Sequence, residues 1–193
     1  MEKNLDFYVK TYPMLDAKTC KQTVKELKKS EKDQTEAWQQ HNFYNPETGS
    51  FGTRSGDLEL DVSYVPTTTR DSIMQNVWQA YRNYTIELNF PWWNSWRGFS
   101  MIRFNRYKET RLMAEHCDHI HSLFDGERKG IPIITALGLL NDDHEGGDLV
   151  MWQDTVLPFK AGEIKVFPSN FLFPHRIEPV TKGVRYSFVA WAW

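Results

Sequence analysis

Between Glu115 and Ser122 the chain reads EHCDHIHS, which sets three histidines, one aspartate and one of the two cysteines within eight positions. Imidazole, carboxylate and thiolate are all ligand groups of divalent metals, and the mixture decides the chemistry. A closed zinc site draws on a cysteine-rich set of four, whereas two histidines and one carboxylate on one face of an octahedron leave three positions open. Cys20 and Cys117 stand 97 positions apart and offer no Cys-x2-Cys pair. In extended backbone, residues i and i+2 project to one side, so His116 and Asp118 can hold one metal together. His119 and His121 form a second pair on the opposite side of the same run. A further histidine, His175, lies in FPHRIEPVTKGVRYSFVAWAW, where a Thr-Lys-Gly turn separates it from Arg185. If Thr181 to Gly183 close a hairpin, His175 stands opposite Val189, and odd-numbered residues of both strands face one side. Arg185 then lies of order 10 Å along the cavity, at about 3.3 Å per residue, a gap that fits a five-carbon dicarboxylate.

These groups need a scaffold. The chain has 193 residues, 40% of them hydrophobic, enough for a sizeable core and best read as one domain over 1–193. LDAKTCKQTVKELKKS offers Asp16 as an N-cap, with Cys20, Val24 and Leu27 at helical spacing. PTTTRDSIMQNVWQAYRNYTIELN begins with threonine caps and carries Ile73, Val77, Ala80 and Tyr81 on one face, so it reads as a second, longer helix. Strand-like runs from Glu36 to about Tyr44 and from Leu58 to Val65 flank NPETGSFGTRSGD, which predicts a hairpin or finger-like loop. From about Phe99 onward only short strands follow. In FSMIRFNRY, Ile102 and Phe104 point one way and Arg103, Asn105 and Tyr107 the other. In the last strand Arg185, Ser187 and Trp191 share one face and Tyr186, Phe188 and Ala190 the opposite one. That parity predicts a barrel or sandwich enclosing a polar cavity, with the helices packed outside.

With these residues in place, the C-terminal half resembles the iron(II)- and 2-oxoglutarate-dependent dioxygenases of the prolyl 4-hydroxylase-like branch. The shared elements are Tyr107, His116 with Asp118, Leu140 with Asn141, Gly146-Gly147-Asp148-Leu149, Gly162-Glu163 through Phe167, His175 and Arg185, in order across roughly 90 residues. The resemblance implies an α+β fold in which a double-stranded β-helix, or jelly roll, forms 99–193 and carries the metal site. Residues 1–98 then supply two or more helices and early strands that pack on it. It implies His116, Asp118 and His175 as ligands of Fe(II), Arg185 on the distal carboxylate of 2-oxoglutarate, a Ser187 hydroxyl beside it, Tyr107 on the facing strand and Trp191 as a pocket wall. The implied reaction is hydroxylation of an unactivated C–H bond with O₂, coupled to decarboxylation of 2-oxoglutarate to succinate; ascorbate belongs to the cofactors the resemblance allows. Two positions depart from the family pattern, Met113 and the pair Gly138 and Leu139, where tyrosines are usual. Thr135 on the same strand is the residue expected to complete the cosubstrate pocket.

Substrate recognition is expected from the loops around the mouth: Arg54 in the early loop, Trp92 and Trp93 in FPWWNSWRG, and the segment HSLFDGERKG. A prolyl or other side chain in a peptide or protein is the leading substrate, a free amino acid or other small molecule the alternative, and a non-catalytic metal-binding jelly roll the reading from another class. A formal charge of −2, from 23 basic and 25 acidic residues interspersed along the chain, disfavours nucleic acid as partner. The charged N-terminus, two cysteines and lack of a roughly 20-residue apolar run predict a cytoplasmic protein off the membrane. Monomer and dimer both stay open.

Overall fold

The structure, a computed structural model, describes residues 4–33, 37–45, 48–93, 95–118 and 132–193. Two antiparallel sheets dominate it. The larger runs β1 (Lys10–Pro13), β12 (Glu163–Pro168), β8 (Ile134–Leu139), β15 (Arg185–Ala192), β6 (Arg103–Tyr107), β5 (Asp61–Ser63) and β2 (Gln39–Gln40). The smaller runs β11 (Thr155–Leu157), β10 (Leu149–Met151), β13 (His175–Ile177) and β7 (Met113–His116). Two further pairs, β14 (Val180–Gly183) with β9 (His144–Gly146) and β3 (Phe43–Asn45) with β4 (Ser50–Gly52), lie beside them.

Two helices, α1 (Ala17–Asp33) and α2 (Arg70–Leu88), cover one face of the larger sheet. Their buried stripes are those the periodicity predicts: Cys20, Val24 and Leu27 on α1, and Ile73, Val77, Ala80 and Tyr81 on α2. They join Ile102, Phe104, Tyr186, Phe188 and Ala190 in one apolar core. Helix α1 starts where expected, since the Thr19 N–H donates to Asp16 Oδ1 at 2.8 Å. The threonines before α2 act differently. Thr69 makes no side-chain cap, and its hydroxyl meets that of Thr23 at 2.6 Å, tying α2 to α1.

The parity of β15 and β6 decides everything at the site. Even-numbered residues enter the helix-covered core, while Arg103, Asn105, Tyr107, Arg185, Ser187 and Val189 line a cavity facing the smaller sheet. The expected hairpin from His175 to Arg185 does not form. Val180–Gly183 is itself a strand paired with β9, His175 pairs with His116 and Met151, and β15 lies between β6 and β8 in the other sheet. A jelly roll sends successive strands to opposite sheets, so His175 and Arg185 reach one cavity from its two walls rather than along one hairpin.

Gly138 shows why this face is tight. A Cβ there would stand 2.0 Å from Cζ of Phe188, whose ring is fully buried. Gly138→Ala is therefore expected to lower stability by about 1–3 kcal/mol through overpacking, read as a fall of several degrees in thermal midpoint.

Candidate metal centre

Strand β7 and the bend after it deliver His116 and Asp118, and β13, paired beside it, delivers His175. One donor atom from each lies within 4.8 Å of the others. His116 Nε2 is 3.3 Å from Asp118 Oδ1, and His175 Nε2 is 3.7 Å from Asp118 Oδ2. Both rings are anchored from behind: His116 Nδ1 meets the Ala114 carbonyl at 2.8 Å, and His175 Nδ1 meets that of Phe173 at 3.1 Å. In the tautomer that donates Nδ1–H there, each ring turns its Nε2 lone pair toward the carboxylate. Lone pairs facing carboxylate oxygens repel one another unless a cation sits among them, so the donor set fits a divalent metal with open positions.

Electrostatics keep the ligands in their binding forms. Burial and the neighbouring His116 push His175 down to about 4, against the pull of Asp118, so the imidazole is neutral at ordinary pH. Burial opposes ionisation of Asp118, but the fields and hydrogen bonds of His175, His116 and Thr135 hold its carboxyl well below the usual range. Thr135 Oγ1 donates to Asp118 Oδ2 at 2.7 Å, and Ser169 stands 2.8 Å behind that hydroxyl as its own donor. Thr135 is thus turned to the carboxylate and orients it. It is not among the residues that line the cavity.

Arg185 stands further along β15, opposite Tyr107. Its Nη1 donates to Ser187 Oγ at 2.9 Å, and its guanidinium lies 5.0 Å over the Tyr107 ring. Among the described residues it forms no ion pair. Burial raises Tyr107 to about 12 despite the nearby charges of Arg185 and Arg103, which keeps its hydroxyl a donor. Gly147, at φ +73°, explains the glycine turn: a Cβ there would stand 2.8 Å from Cδ of Arg185. Leu137, rather than Gly138 or Leu139, is the residue of β8 that lines the cavity, and Met113 lines it from β7. Trp191 packs beside Arg103, whose guanidinium is 5.0 Å from its ring. The free space enclosed among these side chains is about 20 Å³. A wider depression between α1 and Leu140–Asp143 holds no such ligand set.

The loop expectations divide. Arg54 donates to the Glu115 carbonyl at 2.9 Å and lies 4.2 Å over Phe43, whose ring is 5.9 Å from that of His116, so it stands at the rim of the site. Trp93 packs on Tyr84 in the helix-covered core, and exposed Trp92 stacks on Phe90 at 5.0 Å. Both lie on the far side of the larger sheet, because α2 ends at Asn89 in the left-handed region (φ 47°) and turns the chain over the outer layer. His119, His121 and the segment HSLFDGERKG lie outside the described residues.

Alternation in the short N-terminal strands gave no sign of a second buried polar group. His41 and Glu59, 4.0 Å apart, are both buried behind Phe43, and neither His41 Nδ1 nor Glu59 Oε2 has a hydrogen-bond partner. Burial, with the charges of Arg103, His116 and Arg54 against that of Asp118, pushes His41 down to about 3, and burial pushes Glu59 up. An unfolded histidine binds its proton near pH 6.5, so the folded state loses stability as pH falls from there toward 3, by at most about 1.4 kcal/mol per unit. The raised Glu59 acts oppositely, losing its contribution as pH rises above the unfolded carboxyl value. Metal-free protein should thus show a falling thermal midpoint from pH 7 to 5, and His41→Phe should flatten it; an unchanged slope in the variant would refute the buried neutral imidazole.

Residues 102–193 match the model of the 2OG-Fe(II) oxygenase superfamily. This segment is similar to the core of the 2OG-Fe(II) oxygenases, and its fold is prolyl hydroxylase-like. A PKHD-type hydroxylase of Idiomarina loihiensis is 34% identical over 93 residues, a match covering 47% of this chain and 40% of that protein. The match therefore spans less than half the length of this curated relative. A Pseudomonas putida prolyl-4-hydroxylase superposes with a TM-score of 0.67 at 17% identity, covering 96% of this chain and 92% of that one. A Trichoplax adhaerens prolyl hydroxylase, solved with a hypoxia-inducible-factor oxygen-degradation-domain peptide, gives 0.66 at 14% identity, covering 96% and 83%. The oxygenase core implies Fe(II), 2-oxoglutarate and O₂ as its reagents. Among the described residues no helix is long and apolar enough to cross a membrane.

Proposed function

We propose that this chain is a non-haem Fe(II)- and 2-oxoglutarate-dependent dioxygenase that hydroxylates an unactivated C–H bond in a prolyl or other side chain of a protein or peptide. The observation that carries the reading is the convergence in one cavity of a two-histidine, one-carboxylate set and an arginine without a counter-ion. His116, Asp118 and His175 hold the metal, which supplies the activation of O₂ coupled to decarboxylation of 2-oxoglutarate to succinate. Arg185 takes the distal carboxylate of the cosubstrate through its paired N–H groups. Ser187 already accepts from Arg185, so its own hydroxyl proton is free for the same carboxylate. Tyr107 keeps its proton and donates from the facing strand, while Met113, Leu137, Ile177 and Val189 exclude water. The peptide bound to the Trichoplax neighbour favours a peptide or protein substrate, and Arg54 is the rim residue best placed to meet one.

We also propose that residues 1–193 form a single domain: β1, β2 and β5 of the N-terminal half are members of the larger sheet, which supports that reading. Cys20 and Cys117 are free thiols, which supports a reducing, cytoplasmic setting. The test is succinate formation from 2-oxoglutarate by the iron-loaded chain, with mass spectrometry of candidate peptides for a gain of one oxygen. Succinate with a localised hydroxyl is the expected result. Iron-loaded protein that binds 2-oxoglutarate yet yields no succinate with peptides, amino acids or cell extract would favour the non-catalytic jelly roll.

A further inference from the structure

The cavity holds a second arginine that the roles above do not use. Arg103 lies on the cavity face of β6, is 9% exposed, and forms no ion pair among the described residues. Its Nε donates to Asn105 Oδ1 at 3.1 Å and its guanidinium rests 5.0 Å from the Trp191 ring, which fixes the plane and leaves the Nη edge unused. The Trp191 indole N–H beside it is buried and also lacks an acceptor. Neither the Nη edge nor the indole N–H has an acceptor among the described residues.

Register places this pair at the metal's end of the cavity. Arg103 is opposite Val189, next along from Trp191, and Trp191 is opposite Thr135, whose hydroxyl bonds Asp118. Arg185 lies opposite Tyr107, four residues away along β6, or roughly 13 Å of strand. The two guanidinium groups therefore serve different ends. Of the residues lining the cavity, the ionic ones are Arg103, Arg185 and Asp118, which leave a net charge of one positive unit. A divalent metal and a doubly charged cosubstrate cancel each other, so that positive unit remains when both are bound. A buried guanidinium without a counter-ion is costly, and a ligand that brings one negative charge relieves it.

We propose that Arg103, with Asn105, forms a carboxylate subsite for the primary substrate, so that the oxidised carbon belongs to a residue carrying its own carboxylate. This rests on the oxygenase reading and deepens it. The nearness of Arg103 to the ligand set demands that acid and C–H bond lie within one residue of each other. A free amino acid, a C-terminal residue, or an aspartyl or glutamyl side chain meets that demand; an internal proline in a neutral peptide does not.

The test is calorimetry on the full chain loaded with Mn(II) and 2-oxoglutarate, titrated with free amino acids, the same amino acids as primary amides, and capped peptides with and without one acidic residue. Acids should bind roughly 10- to 100-fold more tightly than their amides, and the peptide arm identifies whether the carboxylate is terminal or on a side chain. Arg103→Gln should abolish that preference while keeping 2-oxoglutarate affinity within about threefold, and Arg103→Lys should retain part of it. Equal binding of acid and amide by the unmodified chain, or no binding of either, would overturn the subsite without needing any variant. Loss of 2-oxoglutarate affinity in Arg103→Gln as deep as in Arg185→Gln would make Arg103 a second grip on the cosubstrate instead. If Mn(II) and 2-oxoglutarate fail to bind the unmodified chain, the oxygenase reading falls separately, and acid titration of the unloaded protein still reads the subsite.

Discussion

Asp118→Ala is expected to abolish Fe(II) and Mn(II) binding at micromolar concentrations, a loss above roughly 10³-fold or about 4 kcal/mol. The size follows from charge as well as from the lost ligand. Asp118 is the single acidic group among the residues lining the cavity, facing Arg103 and Arg185. Without it a dication would enter a pocket holding two guanidinium groups and two imidazoles, where neutral nitrogen donors alone must offset the repulsion. His175→Ala should lose turnover as completely, since it removes the ligand that only β13 supplies. Thr135→Val gives the graded control: it leaves all three ligands but frees the carboxylate to rotate, and should weaken metal by roughly 10- to 100-fold. Titration calorimetry and the Mn(II) paramagnetic resonance signal read all three. Metal affinity in Asp118→Ala within tenfold of the unmodified chain would remove Asp118 from the ligand set.

How far such a site can be read from sequence depends on which physical signal positions each residue. Period-2 alternation placed Arg103, Asn105 and Tyr107 on one face of FSMIRFNRY and Arg185, Ser187 and Trp191 on one face of VRYSFVAWAW, and all of these but Trp191 line the cavity. Helical periodicity likewise marked the stripes of α1 and α2 that the core buries. What alternation cannot give is strand partnership. The turn residues at Thr181–Gly183 look like a hairpin locally, yet Gly183, at φ +80°, ends a strand that pairs with β9, and the following strand joins the other sheet. The bond from Thr135 to Asp118 was not legible, because a hydroxyl that bonds a ligand and one that bonds a cosubstrate look alike in sequence. His41 and Glu59 carried no pattern at all: each lies just outside a strand of two or three residues, too short to show alternation. The packing of Trp92 and Trp93 was not legible for a related reason, since aromatic density marks a groove and a core junction equally well.

Arg185→Gln should raise the 2-oxoglutarate requirement by roughly 30- to 5,000-fold, equivalent to about 2–5 kcal/mol, while leaving metal affinity in the absence of cosubstrate nearly unchanged. The separation is built into the register. Arg185 sits opposite Tyr107 and bonds Ser187, whereas the ligand set is tied to Thr135, opposite Trp191 and six residues further along the same strand. A guanidinium offers a carboxylate two parallel N–H groups in one plane; glutamine offers one neutral amide, so both the charge and the fork are lost. Arg185→Lys should fall between, keeping the charge without the fork. Ser187→Ala should cost less than either, because it removes one neutral partner of the carboxylate and frees the Arg185 Nη1 it now receives. Gly147→Ala offers an independent check, since its added methyl would press on the Arg185 stem from 2.8 Å and displace the guanidinium without changing its charge. If Arg185→Gln bound 2-oxoglutarate as the unmodified chain does, the distal carboxylate would have to be held elsewhere, and Arg103 would be the remaining guanidinium in the cavity able to hold it.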